Sequence, residues 1–275
     1  MALTVGTGPF GTQPAGRFNA AIESPTGSIL FLDPVPQRIR GILAGETVVD
    51  STNAKLLHET GHLPVYYFPV EDVRFDLLEP TAKRTHCPHK GDASYWTIRV
   101  AGREAADAVW GYPEPLEPAA FLHGHVAFYW DALDEWLAEE ERLFGHPRDP
   151  YHRIDVYDSA RHVRISLDGE TLADSTRARI LFENGLPPRW YLPPEDVRTD
   201  LLVPSDKRTT CAYKGHASYW HARVGDRVVE DVVWSYPEPA HDAEQVRDRL
   251  CFFDERVDVE VDGQRAERPR TPWSD

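Results

Sequence analysis

The chain repeats itself. Residues 44–115 overlay residues 168–239 at a constant offset of 124 without a gap, and 41 of those 72 positions are identical. Chance does not produce such a match, so the chain must build one fold twice. The longest shared runs are Glu71–Leu78 with Glu195–Leu202, Lys83–Trp96 with Lys207–Trp220, and Trp110–Pro115 with Trp234–Pro239. A copy of ordinary domain size needs about 110 residues, so 275 residues hold two copies and short flanks. The expected layout is an extended N-terminal arm (1–36), a first β domain (37–130), a helix and linker (131–150), a second β domain (151–263) and a frayed tail (264–275).

Each copy carries strand signals. Arg38–Leu43 and Thr47–Asp50 flank Ala44-Gly45, and the second copy has Asp168-Gly169 there. That pair predicts a two-residue hairpin, because both positions tolerate positive φ. Tyr95–Val100 alternates, turns near Gly102 and returns through Ala105–Trp110, as Tyr219–Val224, Gly225-Asp226 and Arg227–Trp234 do in the second copy. Pro64, Pro69, Pro80 and Pro113 recur as Pro188, Pro193, Pro204 and Pro237 and forbid long helices. One helix is expected over about Asp131–Phe144, where Leu133, Trp136, Leu137 and Leu143 share a face and Glu139–Glu141 lie outside it. The fold class is all-β: two homologous small antiparallel-sheet domains joined by a short helix and a linker.

Charge limits the partners. Thirty Lys and Arg face 45 Asp and Glu, a net of −15, and the acidity is spread over both halves. No basic stripe is present to neutralise phosphates, so neither duplex nucleic acid nor an anionic membrane surface is expected as a partner. A small anionic molecule is compatible, since a pocket needs only a few local cations. The three cysteines, Cys87, Cys211 and Cys251, form no C-x-x-C pair. Together with the lack of a basic, apolar leader they suggest free thiols in a reducing cytoplasm. No metal and no cofactor is expected.

Four motifs recur in order: G-E-x-x-x-D-S, Y-x-P-x-E-D-V-R-x-D-L-L, C-x-x-K-G-x-A-S-Y-W and W-x-Y-P-E-P. In this combination the chain resembles the domain of unknown function 427 family, which carries a nucleotidyltransferase-type label. The resemblance covers most of residues 38–130 and 161–258. It implies a compact all-β domain of β-tent-like arrangement with a small-molecule site.

The candidate site is the C-x-x-K-G-x-A-S-Y-W segment. The chain has 25 Arg but only five Lys, and four of these, Lys83, Lys90, Lys207 and Lys214, lie in the overlapping K-R-T-x-C-x-x-K-G run or its copy. A lysine ammonium can lose its proton on burial and an arginine cannot, which gives its retention a chemical meaning beyond a solvated charge. Lys90 and Lys214 follow Cys87 and Cys211 by three residues, close enough to favour a thiolate. These four are the candidate catalytic residues; the bland alternatives are a small core cysteine and a surface lysine. Arg84 and Arg208 would balance ligand charge. Tyr95, Trp96 and Trp110, with Tyr219, Trp220 and Trp234, would stack a ring. Tyr95 and Trp96 are neighbours in one strand, so one should face the core and the other a pocket. The E-D-V-R-x-D run reads as an ion-pair network and Asp50-Ser51 as turn or cap residues.

The expected function is binding of a small ring-containing or anionic ligand in a Cys/Lys/Trp-lined site, with a transferase-like step as an extension. The alternative is a protein-interaction module with aromatic-lined grooves. Copy one has His86, Pro88, His89 and Asp92 where copy two has Thr210, Ala212, Tyr213 and His216, so the two sites should differ in affinity or pH response.

Overall fold

A computed structural model describes residues 3–20, 22–271 and 273–274. It divides into two compact units, Ala2–Tyr151 and His152–Asp275. The first contains eleven strands: β1 (Leu30–Pro34), β2 (Ile39–Leu43), β3 (Glu46–Ser51), β4 (Lys55–Glu59), β5 (Val65–Pro69), β6 (Leu78–Cys87), β7 (Gly91–Val100), β8 (Arg103–Gly111), β9 (His125–Phe128), β10 (Glu135–Ala138) and β11 (Glu141–Leu143). They form a seven-stranded sheet, β1-β4-β5-β9-β8-β7-β6, and a four-stranded sheet, β11-β10-β2-β3.

The second unit repeats this plan. Its strands are β12 (Ile154–Asp158), β13 (Val163–Leu167), β14 (Glu170–Ser175), β15 (Arg179–Glu183), β16 (Arg189–Leu192), β17 (Leu202–Cys211), β18 (Gly215–Val224), β19 (Arg227–Pro239), β20 (Leu250–Phe252), β21 (Asp258–Val261) and β22 (Gln264–Arg265). The sheet orders, β12-β15-β16-β20-β19-β18-β17 and β14-β13-β21-β22, match the first unit strand for strand. Every ladder between these strands is antiparallel. The all-β duplication expected from the sequence is thus what the chain forms.

The main core of each unit involves both sheets. In the first it joins Ile39, Val49, Phe68, Ile98, Val109 and Trp136. The period-two alternation of the strands then decides the opposite face of the large sheet. Tyr66 and Phe68 point into the core while Tyr67 points away, and Trp96 and Val109 point in while Tyr95 and Trp110 point away. The 3₁₀ segment Glu117–Leu122 closes this outer face with buried Ala119 and Leu122. The hairpin turns behave as the sequence predicts: Ala44-Gly45 and Asp168-Gly169 both have positive φ, at 52° and 81° and at 50° and 86°.

Three expectations are corrected. Asp131–Phe144 is not a helix; it is a 3₁₀ turn (Trp130–Ala132) followed by the β10–β11 hairpin. Trp136 is the cause. Its ring stacks on Phe68 and on Trp130, with centroids 5.9 and 5.1 Å apart, and β10 pairs with β2, which buries Trp136 between the sheets. The N-terminal arm is not a free extension. β1 pairs with β4, the Gly61 N–H donates to the Thr4 carbonyl at 2.8 Å, and the Leu3 N–H donates to Asp149 at 3.2 Å. Met1, Ala2 and Ala21 of that arm lie outside the described residues. The tail is also held, since Thr271 Oγ1 donates to Glu255 at 2.5 Å and Arg268 reaches Asp258 at 2.9 Å; its Pro272 and Asp275 lie outside the described residues. No helix among the described residues is long and apolar enough to cross a membrane.

Candidate functional site

The outer face of each large sheet carries a cleft. In the first unit β4, β5, β7 and β8 supply Leu57, Tyr67, Tyr95 and Trp110, and the chain after β8 and β9 adds Tyr112 and Tyr129. Cys87 ends β6, and Lys90 sits in the turn before β7. This turn explains the Lys-Gly pair. Cys87 pairs with Gly91, Gly91 has φ +102°, and the Leu116 N–H donates to the Lys90 carbonyl at 3.0 Å. In the second copy Gly215 has φ +91°, and an added Cβ would lie 2.8 Å from the Glu238 carbonyl oxygen. Backbone geometry by itself requires the glycine.

The lysine points inward. Lys90 is 8% exposed, and its ammonium donates to Glu59 Oε2 at the end of β4. Lys214 donates to Glu183 Oε2 in the same way. The equivalent cleft is lined by Leu181, Tyr191, Cys211, Tyr219, Trp234, Tyr236 and Phe253. The volumes are about 740 Å³ for the first cleft and about 340 Å³ for the second, whose wall includes Arg189 and Trp273. Trp110 meets Tyr67 edge-on at 6.5 Å, and Trp234 meets Tyr191 edge-on at 6.3 Å. The Trp234 indole N–H donates to the Tyr191 hydroxyl at 3.2 Å.

Electrostatics keep the walls neutral. Burial pushes the phenols of Tyr67 and Tyr112 up, and those of Tyr191 and Tyr236 well up, so all four stay protonated at physiological pH. Glu183 goes the other way. Burial opposes its charge, but the hydrogen bond from His152 at 3.0 Å and the Lys214 ammonium outweigh that and hold it at about 2. Arg189, 6% exposed, makes a two-pronged contact with Glu255 at 2.9 and 2.5 Å and lies 3.8 Å from Asp254.

A family comparison now fits the repeat. The profile of a family described as a domain of unknown function (DUF427), labelled NTP_transf_9, matches residues 31–139 and again 155–263. The chain belongs to the DUF427 family. No curated protein matches it. Each DUF427 match spans the strands that build one cleft.

Of the residues singled out from the sequence, the DUF427 clefts gather Cys87, Lys90, Tyr95 and Trp110, and Cys211, Lys214, Tyr219 and Trp234. Four others lie elsewhere. Trp96 and Trp220 sit on the opposite face of their strands, against the main cores, with Trp96 edge-on to Phe75 at 5.9 Å. Arg84 bonds the carbonyls of Thr81 and Lys83 at 2.8 and 2.6 Å, and Arg208 those of Ser205 and Lys207 at 2.7 and 2.6 Å. Neither arginine lines the cleft. Lys83 and Lys207 serve a third purpose: their ammonium groups lie 4.3 Å above the Tyr95 ring and 4.9 Å above the Tyr219 ring, each beside an aspartate. The acidic runs form ion pairs, as expected, with Arg74 on Asp76 and Arg198 on Asp200.

The residues missed were Glu59 and Glu183, the lysine partners, together with Arg189 and Glu255. A signal for the glutamates existed. Glu59 and Glu183 are identical, while their neighbours change from His58 and Thr60 to Phe182 and Asn184.

The thiols should separate by accessibility. Cys87 and Cys211 are half-buried at the clefts, whereas Cys251 is fully buried and burial pushes its thiol well up. Iodoacetamide is expected to alkylate Cys87 and Cys211 in the native protein and to spare Cys251 until denaturant is added. Peptide mass spectrometry reads this directly, and labelling of Cys251 at the same rate would contradict the packing around β20.

Proposed function

We propose that each DUF427 repeat is a small-molecule binding module whose ligand is a compact, uncharged ring held in the outer-face cleft. One observation carries this reading. Leu, Glu, Tyr, Cys, Lys, Tyr, Trp and Tyr recur at the same eight cleft positions in both repeats, although the loops around them differ. Aromatic walls offer stacking area, and the Lys–Glu pair offers polar contacts without net charge. A charged ligand would meet a like charge at one end of that pair, and an anion would not find the uncompensated lysine that the sequence suggests. Apolar area gathered in a concave site favours a small molecule over a flat protein partner. A transferase-like step at Cys87 or Cys211 that relies on a histidine base cannot be common to both repeats, since His86 and His89 are replaced by Thr210 and Tyr213.

The test is a thermal-shift screen of the full chain against nucleobases, aromatic amides, aryl carboxylates and aryl ammonium ions. A ligand at about 100 times its Kd adds about 2.7 kcal/mol to stability, so a neutral ring should raise the melting point by several degrees. The shift should vanish in a variant carrying both Trp110→Ala and Trp234→Ala. A shift that survives this double change would move the site away from the clefts.

A further inference from the structure

We propose that the first cleft selects rings carrying a cis-amide edge, an N–H beside a C=O as in a lactam. This rests on the cleft being a ring-binding site, and it specifies the polar contact that the ring must make.

The argument starts from unspent hydrogen-bonding capacity. Lys90 and Glu59 stand side by side in the cleft wall. The ammonium has three N–H groups and donates one to Glu59 Oε2. Glu59 Oε1 has no hydrogen-bond partner among the described residues. The pair therefore presents a donor next to an acceptor. The complementary group is an acceptor next to a donor, which is the edge of a cis-amide. Its C=O accepts from Lys90 and its N–H donates to Glu59 Oε1. A carboxylate ligand would face Glu59 with like charge, and an ammonium would face Lys90. A ring without a polar edge would strip water from both groups and return nothing, which is costly for charged groups in a cleft. Flat walls made by Trp110, Tyr67 and Tyr112 suit the planarity of such a ring.

The second cleft has the same lysine and glutamate but not the same capacity. There Glu183 Oε1 already takes a hydrogen bond from His152 Nε2 at 3.0 Å, with both side chains buried. Ser28 occupies the position of His152 in the first repeat. The acceptor half of the recognition element is thus occupied in the second cleft, and an amide-edged ring should prefer the first.

The experiment is a two-dimensional NMR titration of the full-length protein, following the indole N–H signals of Trp110 and Trp234, identified through Trp110→Ala and Trp234→Ala. The probes are pyridone, N-methylpyridone, benzoate and benzylamine. Pyridone is expected to shift the Trp110 signal at lower concentration than the Trp234 signal. N-methylpyridone, which keeps the ring and the C=O but lacks the N–H, should bind roughly tenfold more weakly or worse. Glu59→Gln should narrow that gap by weakening pyridone, while Glu183→Gln should leave the Trp110 titration unchanged. Equal affinity of pyridone and its N-methyl form would overturn the amide-edge inference and leave the ring-binding cleft standing. The inference also fails if pyridone moves neither indole signal up to its solubility limit. If in addition none of the probes moves either signal, the cleft reading itself fails.

Discussion

Replacing Lys90 by methionine, or Glu59 by leucine, is expected to destabilise the first repeat by about 3–5 kcal/mol, while the double replacement costs far less than either. The two groups are about one-tenth exposed and share a direct ion pair. Each alone would be a largely buried charge without a counter-charge, which is costly even at a cleft wall. Removing both deletes the desolvation cost along with the attraction, so a Met/Leu pair of similar volume is close to neutral or stabilising. Equilibrium urea unfolding of the two single variants and the double variant gives the coupling energy directly. Single costs below about 1 kcal/mol would mark the pair as solvent-screened, as surface pairs are.

The second large effect is a pH dependence confined to the second repeat. Burial pushes Asp254 up to about 7, helped by the charge of Glu255 and opposed by Arg189. The ordinary value is 3.8. Between these two pH values the folded state holds a proton that the unfolded chain has released. The folded state therefore binds more protons, and stability falls as pH rises from about 4 to about 7, then levels off. Asp254→Asn mimics the protonated acid at every pH. The variant should match the wild type near pH 4 and exceed it by on the order of 3 kcal/mol at pH 8. Glu183 gives the opposite slope at lower pH. It sits at about 2 against an ordinary 4.5, so its contribution is present above the ordinary value and is lost as pH falls towards 2. Hydrogen exchange of amides in β16 and β20 follows both effects within the repeat. A stability difference between Asp254→Asn and wild type that does not change with pH would show Asp254 ionised throughout.

Much of the architecture was legible because repetition supplies its own control. The gap-free offset required two copies of one topology, and the sheet orders agree strand for strand. The adjacency of Tyr95 and Trp96 required opposite faces, and one does face the cleft and the other the core. The missed hairpin at β10–β11 is instructive. Glu139 turns with φ +52° and carries no glycine or asparagine signal, so the apolar spacing around it looks helical. The second copy turns at the corresponding place with Asp262-Gly263, at 53° and 78°, and that pair does announce a hairpin. Reading the weaker copy through the stronger one would have recovered the strand.

By itself the sequence determined the duplication, the all-β class, the turns marked by glycine pairs, and one of the segments that lines the cleft. These are properties of chain order: period-two alternation, dipeptides that accept positive φ, and proline spacing act over a few residues. Only the tertiary structure decided which side chains meet. Glu59 reaches Lys90 across 31 positions, and Arg189 reaches Glu255 across 66. No local rule links such pairs, because strand order brings them together and strand order is set by how the sheets bury their apolar faces. The same packing sent Trp96 and Trp220 into the core and left Arg84 and Arg208 on nearby carbonyls. A residue's chemistry is carried in the sequence, but the charge opposite it, and so what it can bind, depends on the fold.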